Sequence, residues 1–200
     1  QTARECPDCP EIVVVPAGTF RFGSALADRE ADPASGETPA IVVTLAHPFA
    51  MTRTEITVAQ FRAFAEATQY PVNGDCRIPS GGGWQRFPEH SWQDPGFGVP
   101  QADTEPVVCI SFADAKAYAA WLTKTVGHTY RLPSEVEWEY AARGGGDRMF
   151  PWGDEPLTGT TTDCNRVVAH WTTSLDPPRD VTCGDRTPQP VGSKPAGCSP

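Results

Sequence analysis

Several common signatures of chemistry are missing from this chain. No apolar run reaches the ~18 residues a membrane-crossing helix needs, so membrane insertion is not expected. The basic residues form no run or stripe, and the net charge is −9 with a pI near 4.8, which argues against nucleic acid or an anionic lipid surface as partner. There is no G-x-S-x-G elbow, and Gly81-Gly82-Gly83 lacks the Lys-Ser/Thr of a phosphate loop. His47, His90, His128 and His170 are scattered without H-E-x-x-H or His-x-His spacing, so no zinc or iron site can be read from them. The C-x-x-C at Cys6 and Cys9 has no second pair to make a zinc ribbon. It also precedes a strand instead of joining a strand to a helix, so a local disulfide or an anchor for the N-terminus is expected before a redox pair. No Asn-x-Ser/Thr sequon, internal repeat or linker is present. No signal peptide is visible, and Gln1 in place of an initiator Met suits a processed N-terminus.

What is present is proline and glycine. There are 21 prolines and 18 glycines in 200 residues, with 39% hydrophobic and 20% charged residues. Proline stands at about twice its usual frequency. Such a chain is globular but cannot be mostly long helices. It reads as α+β, loop-rich, with short strands and about three helices. A polar lead over residues 1–10 precedes one domain over 11–200 that is large enough to bury a core. Seven cysteines favour an oxidising, extracytoplasmic location, secreted or periplasmic. The odd count leaves at least one thiol without a partner in the chain.

Strands are expected over Ile12–Val15, Gly18–Gly23, Ile41–Leu45 and Phe49–Ile56. Thr57 caps a helix to about Gln69 with Val58, Phe61, Ala65 and Thr68 as its buried stripe. Ser111 caps another to about Thr125 with Ala115, Tyr118, Ala119 and Leu122 inward. Residues 70–106 read as one long irregular stretch, and residues 157–200 contain no clear helix. Cys76 and Cys109 bracket the first of these loops, and Cys164 and Cys183 bracket a second. Those two disulfides are expected, with Cys6–Cys9 as a third and Cys198 left over.

The stretch Arg131-Leu132-Pro133-Ser134-Glu135-Val136-Glu137-Trp138-Glu139-Tyr140-Ala141-Ala142-Arg143-Gly144-Gly145, closing on Phe150-Pro151-Trp152-Gly153-Asp154, organises the rest. Ser134 and Glu137 make a capping box, Pro133 blocks an upstream helix, and Gly144-Gly145 end it. Val136, Trp138 and Tyr140 load it with apolar surface, so a core helix is expected. Glu135, Glu137 and Glu139 are two apart and do not share a face, so they are not a catalytic carboxylate pair. Glu137 reads as a cap and Glu135 as a surface charge that complements the helix dipole.

This stretch resembles the signature of the formylglycine-generating enzyme (sulfatase-modifying factor) family. Further pieces match in order: Val13 to Phe20, Phe49 to Val58, Trp92 to Phe97, Pro106 to Ala115, and Pro190-Val191-Gly192-Ser193. The resemblance implies an α+β fold distantly like a C-type lectin. It implies oxidation of a cysteine in a C-x-P-x-R peptide to formylglycine, with O₂ and a copper ion held by two cysteines. The family's copper pair lies downstream of a G-N-x-W-E-W segment that should follow Gly192-Ser193, and the chain reaches Pro200 without either. The domain therefore reads as incomplete at its C-terminus, and copper is expected only with a further C-terminal segment. The chain alone is expected to be inactive. The alternative is a non-catalytic binding, accessory or assembly subunit on the same fold, with a protein or peptide partner. The resemblance also implies calcium, held by Asn165 and the carbonyl of Arg166, with Asp185 as the carboxylate and Asp180 as its rival. From composition alone, Asp163, Asn165, Asp176, Asp180 and Asp185 form only an acidic loop region.

Overall fold

The computed structural model describes residues 2–24, 38–72, 76–80, 83–155, 164–167, 170–172, 180–183 and 187–195. The first sheet runs β1 (Thr2–Ala3), β2 (Ile12–Val15) and β5 (Phe49–Thr52), all antiparallel and in that spatial order. The N-terminal lead is thus part of the sheet, and Cys9 is fully buried in the core. β3 (Gly18–Phe22) and β4 (Ile41–Leu45) form a second antiparallel pair. Along β3, Thr19 and Arg21 are exposed while Phe20 is buried, the alternation of a half-covered strand.

α1 (Val58–Thr68) and α2 (Phe112–Val126) start where the sequence marks them. Thr57 with Gln60, and Ser111 with Asp114, each complete a reciprocal capping box. The stripe of α1 differs from expectation by one residue. Phe64 is buried and Thr68 is exposed, its hydroxyl donating to the Phe64 carbonyl. Phe61 and Phe64 of α1 meet Tyr118 of α2 with ring centroids 5.9 and 5.7 Å apart, and Trp92 closes on Phe61 at 5.3 Å. With Ala65, Ala119 and Leu122 they form the main core. Each large side chain there contributes about 1.5–3 kcal/mol by burial. Asp114 is also buried, and Tyr70 donates to it at 2.9 Å.

The 70–106 stretch is not uniformly irregular. It contains the hairpin β6 (Cys76–Ser80) and β7 (Gly83–Phe87). Its far end crosses the start of α1, where Val58 and Ala59 donate backbone hydrogen bonds to the carbonyls of Glu105 and Asp103. Val191 in turn donates to Thr104, which ties the Pro190-Val191-Gly192-Ser193 segment to this crossing.

α3 (Glu135–Ala142) is capped by Ser134 and Glu137, and Gly144 and Gly145 follow it with positive φ. It buries less than expected: Tyr140 is buried against Phe20 at 5.2 Å, but Trp138 is 58% exposed. β8 (His170–Thr172) and β9 (Asp180–Thr182) form a last antiparallel pair. Disulfides join Cys76–Cys109 and Cys164–Cys183, the pairs expected from the loops they bracket, and Cys6–Cys9, the local pair expected of the C-x-x-C. Cys198 lies outside the described residues.

Candidate functional site

The site is built where β5, α2 and the approach to α3 meet. Phe49 and Met51 of β5, Phe61 of α1, and Tyr118 and Leu122 of α2 line a cavity of about 390 Å³. Glu5, His128, Tyr130, Arg131 and Glu137 complete its wall. Beside it β5 has β2 on one side and no strand partner on the other among the described residues. An unpaired strand edge presents backbone N–H and C=O groups to an incoming chain.

Local sequence explains the polar wall. Pro133 and the Ser134 cap end the chain's approach to α3, which places Arg131 against the first turn of the helix. Arg131 forks onto Glu137 through both terminal nitrogens at 2.7 Å, while Glu137 also accepts from the Ser134 amide at 2.8 Å. The Arg131 guanidinium, outweighing burial, holds the Glu137 carboxyl down at about 2. The same contact raises the Arg131 guanidinium above its ordinary value. Glu137 is therefore a cap, as its spacing implies, and the structure adds an ion pair with Arg131, so its charge is already committed. Glu139 serves structure too, pairing with Arg143 at 2.9 Å and accepting from the Gly23 amide at 3.0 Å.

On the other side Glu5 accepts from the Tyr130 hydroxyl through a short hydrogen bond and faces His128 Nδ1 at 3.4 Å. Burial first, and this hydrogen bond second, push the Tyr130 hydroxyl up to about 12, so it remains a donor at neutral pH. The Tyr118 hydroxyl is buried with no hydrogen-bond partner among the described residues, and burial pushes its ionisation well above the ordinary phenol value. The arrangement supplies one neutral phenol inside an apolar cavity and a Tyr130–Glu5–His128 link at its wall. That suits holding an apolar group with one polar contact. The spacing of residues in the sequence pointed to none of Glu5, Tyr118, His128 or Tyr130 as functional, because Glu5 and Tyr130 lie 125 residues apart.

Of the predicted metal residues, Asn165 and Arg166 lie among the described residues with their side chains. Asn165 is exposed on a single turn after Cys164, and the Arg166 side chain pairs with Glu155 at 3.1 Å. Asp180 opens β9 with its side chain outside the described residues, and Asp185 lies outside them altogether. Among the described residues no group of three or more His, Cys, Asp or Glu could hold a metal. The copper implied by the family needs free thiolates. The six described cysteines are all joined to one another as disulfides, so these residues do not fit copper.

Three capped helices, short antiparallel strands and disulfide-held loops define a formylglycine-generating-enzyme-like α+β domain. The whole chain superposes on the structure of PvdO from Pseudomonas aeruginosa with a TM-score of 0.73 at 30% identity, covering 69% of that chain. A profile described as Sulfatase-modifying factor enzyme 1-like domain matches residues 1–198, and the chain belongs to that family. It is 35% identical over 178 residues to a formylglycine-generating enzyme from Thermomonospora curvata, across 77% of this chain and 56% of the relative. It is 32% identical over 169 residues to the inactive C-alpha-formylglycine-generating enzyme 2 of Mus musculus, across 72% of this chain and 51% of the relative. The chain thus spans about half the length of these curated relatives.

Proposed function

We propose that this 200-residue chain acts as a non-catalytic peptide-binding module of the formylglycine-generating enzyme family. The observation that carries the reading is the state of the cysteines. All six that are described are held in disulfides, and a copper-dependent oxidation of a peptide cysteine needs a thiolate pair for the metal. The family contains relatives named as active and relatives named as inactive, so membership allows either. The cavity between β5 and α2 supports a binding role. An extended peptide can add to the edge of β5 that has no strand partner among the described residues and place one apolar side chain toward Tyr118 and Leu122. The three disulfides support an oxidising, extracytoplasmic setting. Among the described residues no helix is long and apolar enough to cross a membrane.

The test has two arms. The chain is incubated with copper, reductant, O₂ and a C-x-P-x-R peptide, and mass spectrometry reads conversion of the cysteine to the aldehyde. No conversion is expected, and turnover sinks the non-catalytic half of the reading. Binding of a library of extended peptides is then measured in Leu122→Trp and wild type. Affinity that is unchanged when the cavity is filled removes the proposed seat. The second reading, a formylglycine-generating oxidase that takes its copper ligands from chain not seen here, is favoured by the identity to the Thermomonospora curvata enzyme.

A further inference from the structure

The wall of the β5–α2 cavity is out of balance in charge. Apart from the buried Tyr118, its titratable side chains are Glu5, His128, Tyr130, Arg131 and Glu137. Arg131 and Glu137 cancel one another through two bonds of 2.7 Å. Glu5 has no such counterpart, because among the described residues no arginine or lysine pairs with it. Its contacts are the Tyr130 hydroxyl, which is neutral, and His128, which carries charge only when protonated. One carboxylate of the wall is left without a permanent cation, in a chain whose net charge is already −9.

That carboxylate is held in place. Glu5 stands between β1 and the Cys6–Cys9 bridge, whose Cys9 is fully buried. Tyr130, its hydrogen-bond donor, is pinned to α2: the Tyr130 amide donates to the Thr123 hydroxyl at 2.8 Å, and that hydroxyl lies 3.2 Å from the Tyr130 carbonyl. The two carboxylate oxygens differ. Oε2 accepts from Tyr130, whereas Oε1 faces His128 Nδ1 at 3.4 Å. The His128 side chain is 70% exposed and that of Glu5 25%, so Oε1 lies toward the open side of the wall. Phe49, Met51, Tyr130 and Leu132 line the same space and are half-buried, so an apolar stem has accessible surface to lie on.

From this we infer that the cavity takes an alkylammonium group. The aliphatic stem lies against Phe49, Met51 and Leu132, and the ammonium donates to Glu5 Oε1. The inference rests on the reading of this cavity as a binding seat and adds the chemistry of what fills it. An ammonium suits the wall better than a guanidinium does. A guanidinium forks onto two oxygens, and Glu5 offers one because Tyr130 holds the other. An ammonium is a point charge and needs only one. An anion is repelled by Glu5, and an alcohol of the same length gains the stem contacts without the charge. The volume of about 390 Å³ falls within the range of small-ligand sites. Such a group comes from a lysine side chain or from a free alkylamine.

The experiment titrates the full chain with n-hexylamine, n-hexanol and n-hexylguanidine and follows the backbone amides of residues 49–52 and 128–132 by ¹H–¹⁵N correlation. Saturable movement is expected there, with hexylamine about fivefold tighter than hexanol or hexylguanidine, and the preference should shrink at high salt. Nα-acetyl-lysine methylamide stands for the lysine source, and the tighter of it and hexylamine identifies the source. Glu5→Gln keeps an acceptor for Tyr130 and removes the charge, so amine and alcohol should then bind alike. His128→Lys changes an exposed position and sets a permanent cation beside Oε1, so it should abolish the preference and leave hexanol unchanged. Hexylamine no tighter than hexanol overturns the inference and leaves the cavity as a seat for apolar groups. A preference that survives Glu5→Gln or His128→Lys overturns it too, as does tighter binding of the guanidine or movement confined to other residues. If no probe moves these signals the inference falls, and the peptide measurement above decides the seat by itself.

Discussion

Gly18 on β3 and Tyr140 on α3 are matched so closely that a β-carbon on the glycine would overlap the tyrosine hydroxyl. The ring carbon bearing that hydroxyl would lie 3.2 Å away, so the oxygen is the main obstacle. The absence of a side chain at Gly18 is what lets the family's signature helix sit against the sheet. Gly18→Ala should destabilise the chain by about 1–3 kcal/mol, the usual range for overpacking. Tyr140→Phe removes the obstructing atom, so in the double variant the penalty should fall by about 1 kcal/mol from the sum of the singles. Urea denaturation of the four proteins measures it, and strict additivity would refute the contact.

The Arg131–Glu137 fork makes stability depend on acid. Glu137 has its folded pKa lowered from 4.5 to about 2, so its contribution is fully present above the ordinary value. It is lost as pH falls from about 4.5 toward 2. The full shift corresponds to about 3 kcal/mol, and Arg131 is 60% exposed, so screening reduces it to nearer 2. Glu137→Gln should flatten that limb of the stability profile. A profile as steep as wild type between pH 5 and 2.5 would mean that another carboxylate carries it.

How much of this was legible in the chain depends on distance along it. Caps are local, so Thr57, Ser111 and Ser134 were readable, the last with its partner Glu137, while the structure adds Gln60 and Asp114 as partners of the first two. The stripe of α1 was drawn too far, because Thr68 fitted the period as well as Phe64 did. Packing against Tyr118 decided for the phenylalanine. The hairpin in 70–106 was hidden by its composition: Cys76-Arg77-Ile78-Pro79-Ser80 holds one β-branched residue and a proline. Trp138 read as core because apolar residues usually are, and its exposure follows from Tyr140 taking the one face of α3 that meets β3. The wall formed by Glu5, His128 and Tyr130 joins the two ends of a long path, and no local rule reports it.

The Cys76–Cys109 bridge spans 33 positions and anchors the hairpin to the start of α2. Cys109 itself has a φ of 57°, a conformation that non-glycine residues rarely adopt. Closing a loop of this length stabilises by about 4 kcal/mol in the chain-entropy model. The paired replacement Cys76→Ser with Cys109→Ser should cost about that much in a urea titration. Peptide mapping without reductant should recover Cys76 joined to Cys109, and any other partner for Cys76 would defeat the assignment.

Calcium at Asn165 remains a proposal carried by the family resemblance, and its geometry makes a specific demand. Asn165 and Arg166 follow Cys164 directly, and Cys183 opens the segment that leads to Asp185. The Cys164–Cys183 bridge, with Cα atoms 4.8 Å apart, ties the residue just before Asn165 to the one that stands two positions before Asp185 in the sequence. A hard cation needs six to eight oxygens, so it would draw on backbone carbonyls and water as well as these groups. Binding to the folded state alone should raise the melting temperature of a chelator-stripped sample as calcium is added. Asp185→Ala should remove that rise. If Asp185→Ala keeps it and Asp180→Ala loses it, Asp180 is the ligand instead. Opening the bridge with Cys164→Ser and Cys183→Ser should weaken the calcium effect, because the two ligand segments are then no longer tied. A melting temperature indifferent to calcium in the intact protein would eliminate the site.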